Sequence, residues 1–531
     1  LYARQEYGDS QARCAFFPNQ VDKSFKRVIL SNSGGDWSST GFRDAMTQQI
    51  FRPYARCDTQ DYEPAVTYVN GEYWGLENLR EHYSKYYFER HYGVDAENLD
   101  FLKATVGSEA MEIEEGDDLD YKMVLAFCKT NDLSIASNYA WVEAHMDLDS
   151  LIDHYACECY SGNTDWPGNN LAVWRVRTAF NPSAPYGHDG RWRWAIYDTD
   201  NGFGNSAQDM MYQARRSPRG VCQPQFDRLL ANTDFRNRFV NRFADLSNTA
   251  FQPARVNTII ANMAARVDGE MPRHIARWGR MLSTSSWLSR VAGLKSFANS
   301  RPANAFTNIV NEFGLGGMAR LTVDLTNGAG RITVNTLSLD ASFPWSGAYF
   351  RTVPVTVSVT PDPGFTFVRW ETSSGALPDQ TVTLTVTNDL AVRAVLEPAV
   401  LPRVTVNEVL ADATKAGGDL HPSTGKAEDW FELLNSTPVA VDLSGNWVVD
   451  SQPDNACAIP GGVVLQPGAC LRVWTGSELA SGLNADGSVN ATFGLGKSGD
   501  AVALLTPDRG SELDRVTFGA QGTNISQGRW P

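Results

Sequence analysis

Apolar and polar residues follow two regimes along this chain, and the change falls near residue 315. Upstream, helical and strand periods are mixed. Phe25 to Leu30 reads as a strand, and Thr40 to Phe51 as a helix with Ser39 or Thr40 at its N-cap. Ala65 to Val69 and Tyr73 to Leu79 flank Asn70-Gly71, which predicts a β-hairpin. A helix is expected from about Ser84 to His91. A second covers Leu148 to Tyr160, where Leu148, Leu151, Ile152, Tyr155 and Cys159 recur at helical spacing. Leu171 to Arg177 and Arg191 to Tyr197 alternate as two strands around a turn near Gly187 to Gly190, and 225–313 is almost wholly helical in pattern.

Downstream, short strands rich in Thr and Val are spaced by Gly, Pro, Asn and Asp, which predicts β-sandwich modules. One module is expected over 317–398, with a turn at Pro361-Asp362-Pro363-Gly364. The other covers 403–531, with strands at Val404 to Val409, Trp430 to Leu434, Trp447 to Val449 and Cys470 to Trp474. Residues 399–402 read as a linker. The fold class is multidomain: an α+β domain over 1–313 followed by two immunoglobulin-like β-sandwich modules.

Composition narrows the function. At 531 residues the chain is too long for one core and predicts about three domains. A net charge of −15 argues against nucleic acid or anionic membrane held by bulk electrostatics. No run reaches the ~18 apolar residues that span a bilayer. The chain opens at Leu1 without Met and closes at Gly528-Arg529-Trp530-Pro531, and both ends read as cuts in a longer protein. The eight cysteines form no CxxC pair, which disfavours a zinc ribbon. Cys457 and Cys470 are a candidate local disulfide, Cys157 and Cys159 lie on different helix faces, and Cys14, Cys57, Cys128 and Cys222 read as buried small hydrophobes.

The candidate chemistry lies in two loops. Asn163-Thr164-Asp165-Trp166-Pro167-Gly168-Asn169-Asn170 follows the predicted helix, with Asp165 and Asn170 five positions apart. Protein kinases use that offset to aim one carboxylate at an acceptor hydroxyl and one amide at Mg²⁺. The second loop, Tyr197-Asp198-Thr199-Asp200-Asn201-Gly202-Phe203-Gly204, leaves an apolar strand that would hold Asp198 rigidly as a metal ligand, with Asp200 beside it. Alone, each loop is also a set of turn formers. Three other constellations read as structural: His82 and His91 as surface residues, His154 and Glu158 as a helical pair without a third zinc ligand, and Trp192 and Trp194 as core.

Five ordered segments resemble the CotH kinase family: SNSGGDWSSTGFRDAM (31–46), VNGEYWGLENLREHY (69–83), GNTDWPGNN (162–170), WRWAIYDTDNGFG (192–204) and FRNRFVNRFADL (235–246). The resemblance implies an atypical protein-kinase-like fold over 1–313 that uses ATP and Mg²⁺ (or Mn²⁺). It places Asp165 as catalytic base, Asn170 or Asn169 as the metal-side amide, and Asp198 and Asp200 on the metal. Glu81 would lie near the hinge between lobes, and Arg43 with Asp44 at the start of a regulatory-type helix. Ser31 stands where the family commonly has an arginine; Arg27, on the same strand face, or Lys26 is the replacement candidate for the phosphates. The family's earlier N-lobe strands would precede Leu1. Arg27, Arg43, Glu81 and Asn169 are the candidate nucleotide contacts.

Residues 403–531 resemble a lamin-tail domain through VNEVLAD (406–412), EDWFELLNSTPVAVDLSGNWVVD (428–450), LQPGACLRVWTG (465–476) and DRVTFGAQGTNISQGRWP (514–531). GFTFVRW (364–370) makes 317–398 resemble a divergent bacterial surface repeat. Together these imply an exported bacterial kinase, secreted, periplasmic or at the cell surface. It would phosphorylate protein hydroxyls and carry adhesion or targeting modules for a surface or matrix partner. The alternative is a non-catalytic surface or matrix protein on the same scaffold, binding protein or polysaccharide.

Overall fold

Asn70 and Gly71 take φ of 51° and 83°, the pair of left-handed residues that a two-residue hairpin turn of the favoured hand requires. In this computed structural model the turn joins β4 (Tyr62–Val69) to β5 (Glu72–Glu81). The described residues are 1–529 apart from 19, 22, 105–110, 217–223, 282, 341, 363 and 399–403. Cys222, Pro363, the linker 399–402 and the pair Trp530-Pro531 therefore lie outside them. The chain divides into two units, 1–398 and 399–531.

The first unit opens with a short bridge of β1 (Ala12–Arg13) and β2 (Ser24–Phe25). β3 (Val28–Ser31) then pairs with β5, giving a three-stranded antiparallel sheet in the order β3-β5-β4. A second antiparallel sheet has the order β7-β6-β8-β9, built from β6 (Leu99–Ala104), β7 (Met111–Glu115), β8 (Leu171–Val176) and β9 (Arg193–Ile196). The hydrophobic pattern reveals β8 and β9 but not β7, where glutamates alternate with Met111 and Ile113 and mask a strand.

The helices are α1 (Arg43–Phe51), α2 (Lys85–Tyr92), α3 (Leu119–Thr130), α4 (Ala136–Glu143), α5 (Leu148–Ser161), α6 (Met210–Arg216), α7 (Pro224–Leu229), α8 (Thr233–Ser247), α9 (Pro253–Ala265), α10 (Met271–Trp278) and α11 (Thr284–Phe313). Every residue of α5 except Asp149 is buried, as expected of a helix surrounded by others. The Asp147 side chain caps it by accepting from the Ser150 N–H, and the Ser150 hydroxyl accepts from the Trp194 N–H at 2.9 Å, fixing α5 beneath β9. Trp192 and Trp194 are fully buried. α1 departs from expectation: it starts at Arg43, and neither Ser39 nor Thr40 caps it. The Asp36 carboxylate does so from a folded-back turn, accepting from the N–H groups of Thr40, Phe42 and Arg43 at 3.2, 3.1 and 3.0 Å.

Residues 318–398 form two facing sheets, five-stranded and four-stranded, with Leu321, Val323, Ile332, Val334, Val355 and Val357 between them. Their core continues into the helices: Phe350 meets Phe306 of α11 edge-on at 5.3 Å. Asp245 of α8 is buried at this contact. Its carboxylate accepts from the Tyr349 hydroxyl at 2.9 Å and from the Thr336 N–H and hydroxyl at 3.0 and 2.6 Å.

The second unit is a β-sandwich. A six-stranded sheet containing Val404–Leu410, Asp429–Asn435 and Cys470–Thr475 shares a core with a four-stranded sheet containing Trp447–Val449 and Gly499–Leu505. Phe431, Leu433 and Val473 meet Val448, Val502 and Leu504 there. The candidate Cys457–Cys470 disulfide is absent: one thiol faces the sandwich core and the other faces away from it. Cys457 is buried with Sγ 3.6 Å from the Asn490 carbonyl, and Cys470 is exposed. Cys14 is also exposed rather than buried.

Burial raises the Asp245 carboxyl from its ordinary 3.8 to about 6. Between those values the folded chain holds a proton that the unfolded chain has released, so the stability this group contributes is full below about pH 4 and falls as pH rises toward 6. Asp245→Ala leaves Tyr349 and Thr336 donors unpaired and is expected to cost about 2–3 kcal/mol at pH 4. The difference in melting temperature between wild type and variant should shrink from pH 4 to pH 6; a pH-independent difference would contradict this assignment.

Candidate active site

α5 ends at Gly162, whose φ of 68° stops the helix and turns the chain into the first candidate loop. Arg301 of α11 fixes this point. Its buried guanidinium donates to the carbonyls of Cys159 and Tyr160 in the last turn of α5, and to those of Ser206 and Gln208 beyond the second loop. Within the first loop, the Trp166 indole N–H donates to His154 Nε2 at 3.1 Å. Burial drives the His154 pKa down to about 3, so the ring stays neutral and can accept. Asn163 and Asn170 are both buried, and both side-chain amides donate to the Asp198 carbonyl, at 3.2 and 2.6 Å.

The second loop leaves the fully buried strand β9. Asp198 takes φ of 50° and Phe203 φ of 54°, left-handed conformations that cost of order 1 kcal/mol at non-glycine residues. Surrounding contacts hold them. The Thr199 N–H and hydroxyl both donate to Asp44 of α1 at 2.9 Å, and Asp44 pairs with Arg80 of β5. The Phe203 ring packs on Phe297 at 4.5 Å. Arg43 donates to the carbonyls of Asp200 and Gly202 at 3.1 and 2.9 Å and pairs with Asp36 at 3.1 Å.

Asn201 joins the two loops. Its amide donates to Asp165 Oδ2 at 2.7 Å and to Asp200 Oδ1 at 3.1 Å. The exposed turn at Gly34-Gly35 closes on the same group: the Gly35 N–H donates to Asp200 Oδ2 at 2.5 Å. A Cβ on Gly34 would come within 2.5 Å of that oxygen, so the approach requires glycine. Asp165, Asn170, Asp198 and Asp200 thus belong to one cluster, linked by Asn163, Asn201 and the Gly34-Gly35 turn.

The cluster is electrostatically loaded. Burial, then Asp200 and Asp44, push the Asp198 carboxyl up to about 7. Burial raises Asp200 as well. Asp44 goes the other way: burial opposes its ionisation, but the Arg80 ion pair and the Thr199 hydrogen bonds outweigh that and hold it below the usual carboxylate range. Asp198 and Asp200 are therefore two crowded carboxylates, both raised above the ordinary value. Among the described residues no three His, Cys, Asp or Glu side chains close into a metal cage. Two carboxylates beside amide oxygens are nonetheless the set that Mg²⁺ accepts, since it retains several waters. The Asn163 side chain is shared between the Asp198 carbonyl and the buried Glu158 carboxyl.

Other sequence candidates lie apart. Glu81 is buried in an ion-pair group with Arg90 and His91 and accepts from the Asp61 N–H. Arg27 stacks over Tyr2 and Tyr86 at 4.5 and 5.5 Å. Asn169 stays in the first loop, where its N–H donates to the Asp165 carbonyl. Glu158 is wholly buried, and burial raises its carboxyl well above the ordinary value; His154 accepts from Trp166 through Nε2. Asp44 and Arg80 are structural keys to the site; both lie in the segments that carry the family resemblance, but only Asp44 is singled out there. Asn163, Asn201 and Gly35 carry contacts that no spacing rule announces.

Three family models match this chain. A family model described as CotH kinase protein matches residues 8–305, one described as Lamin Tail Domain matches 397–520, and one described as Divergent InlB B-repeat domain matches 323–399. The first covers more than half of the chain, which belongs to the CotH kinase family. No curated protein matches it. A solved DUF4876 family protein from Bacteroides thetaiotaomicron shares 11% identity over 36% of this chain and 66% of its own, with a TM-score of 0.15, too low to inform the fold.

Crowding of Asp198 against Asp200 and Asp44 makes a testable trade. In EDTA at pH 8, Asp198→Asn should raise the melting temperature by about 2 °C, equivalent to about 1 kcal/mol. Millimolar Mg²⁺ should stabilise the wild type and not the variant. A destabilised variant that still responds to Mg²⁺ would contradict the placement.

Proposed function

We propose that this chain is an exported bacterial protein kinase that moves the γ-phosphoryl group of ATP to a protein hydroxyl. The observation that carries the reading is the meeting of the two Asp-bearing loops around Asn201. In this reading Asp165, half-exposed at the edge of the cluster, orients the acceptor hydroxyl and takes its proton as oxygen bonds to the γ-phosphorus and ADP departs. Asp198, Asp200 and Asn170 hold Mg²⁺ or Mn²⁺, which would offset charge on the phosphates when bound. The cation assigned to the phosphates is Lys103 of β6. Its ammonium lies over the Tyr197 ring at 5.1 Å, one residue from Asp198, and is balanced by Glu114 at 3.0 Å. The likeness of the downstream modules to a bacterial surface repeat and a lamin tail supports export and a surface or matrix partner.

A second reading keeps the scaffold without catalysis. It is favoured by Ser31 in the arginine position and by Arg43 and Arg80, both already engaged by carboxylates of this chain. Calorimetry of ATP with Mg²⁺ separates the two, since the scaffold reading expects no heat of binding.

Asp165→Ala and Asp198→Ala should each abolish phosphate incorporation into protein while leaving the circular dichroism spectrum unchanged; incorporation at the wild-type rate in both would defeat the proposal. Lys103→Met should weaken ATP binding about tenfold, the loss of one charge-assisted contact. An unaltered affinity would remove Lys103 from the site.

A further inference from the structure

Beside the acidic cluster lies a surface of opposite character. Trp278, the last residue of α10, meets Trp37 edge-on at 5.7 Å and Trp74 at 5.0 Å. Its indole N–H donates to the Trp74 carbonyl at 2.6 Å. Gly75 permits this approach, because a Cβ there would fall 2.9 Å from the Trp278 indole nitrogen. Arg277 lies over the rings of Trp74 and Trp278 at 5.3 Å each, and Arg280 over Trp37 at 5.4 Å. Trp74 is 37% exposed, a large apolar side chain left open on the surface.

Charge singles this surface out. The chain carries −15 overall. Nearby Arg266 pairs with Glu63, and Arg273 lies 3.6 Å from Glu270. Arg277 and Arg280 are exposed and have no carboxylate partner among the described residues. Tryptophan and arginine together are the residues that dominate binding hot spots between proteins, and a guanidinium laid on an indole is held ready to pair with a carboxylate.

Position links the surface to the candidate chemistry. Trp37 belongs to the same turn as Gly35, whose N–H holds Asp200. Two residues of chain, at most ~7 Å, separate them. An extended polypeptide seated on the tryptophans therefore needs only a few more residues to bring a hydroxyl to Asp165.

We propose that Trp37, Trp74, Trp278, Arg277 and Arg280 form a docking surface for an acidic polypeptide segment, which selects the protein that enters the neighbouring site. The assignment of that segment as substrate rests on the kinase reading above; the docking itself does not. A polysaccharide is the poorer occupant, because sugars stack on open indole faces and here the arginines lie over those faces.

The test uses the whole chain and a fluorescein-labelled peptide carrying one serine among glutamates, with a lysine counterpart as control. Fluorescence anisotropy at 150 mM NaCl should show tighter binding of the acidic peptide. Combined Arg277→Glu and Arg280→Glu, both at exposed positions, should weaken it at least tenfold and reverse the preference toward the lysine peptide. Trp74→Ala should weaken it without reversal. With Mg²⁺ and ATP, the double variant should raise the KM for the acidic peptide about tenfold and leave kcat unchanged. Wild-type binding that ignores peptide charge, variants that bind as the wild type does, or tighter binding of polygalacturonate than of the peptide would each overturn the proposal. Charge-dependent binding without any phosphate transfer would uphold the docking surface and defeat the kinase reading.

Discussion

The backbone carbonyl of Asp198 accepts from two buried amides, Asn163 and Asn170, and the site is organised around that shared bond. A buried amide without a partner costs about 1–3 kcal/mol, so each asparagine holds the first loop to the second. The same bonds fix Asp198 in its left-handed conformation and bring its carboxylate beside that of Asp200. A loop able to relax away would lower the repulsion between those carboxylates. The amides, the Asp44–Thr199 pair and the Gly35 N–H prevent it. The acidic cluster is therefore a strained, pre-arranged feature.

The larger fold serves this arrangement. α5 is buried on nearly every side because it supplies the rigid root of the first loop, and Arg301 locks its final carbonyls to the segment after the second. β9 does the same for Asp198 from within a four-stranded sheet. α1 reaches the site only because Asp36 caps it from a turn that also carries Gly34 and Gly35. One carboxylate thus positions a helix, pairs with Arg43, and shapes the turn that meets Asp200.

What was legible in the sequence was local. The Asn70-Gly71 hairpin, α5, β8 and β9 follow from periodicity and turn chemistry within a few residues. The offset between Asp165 and Asn170 lies within one loop, and the hairpin between the two loops makes their meeting plausible from spacing alone. The contacts that complete the site are not local. Asp44 and Thr199 are 155 positions apart, and Gly35 and Asp200 are 165 apart, so no periodic pattern announces them. The misplaced α1 cap is instead a local miss: Asp36, seven positions before Arg43, folds back and displaces the candidates Ser39 and Thr40. The Cys457–Cys470 pairing failed because Cys457 is buried in the sandwich and Cys470 is exposed, which strand signals alone do not reveal.

The central claim is that Asp198, Asp200 and Asn170 together receive a nucleotide-bound divalent cation. Anomalous diffraction from crystals grown with Mn²⁺ and a non-hydrolysable ATP analogue tests it most directly. The account predicts a manganese peak within coordination distance of the Asp198 and Asp200 carboxylates, with the γ-phosphate turned toward Asp165. Well-ordered crystals with an intact acidic cluster and no manganese there, or manganese bound elsewhere with the nucleotide, would contradict it.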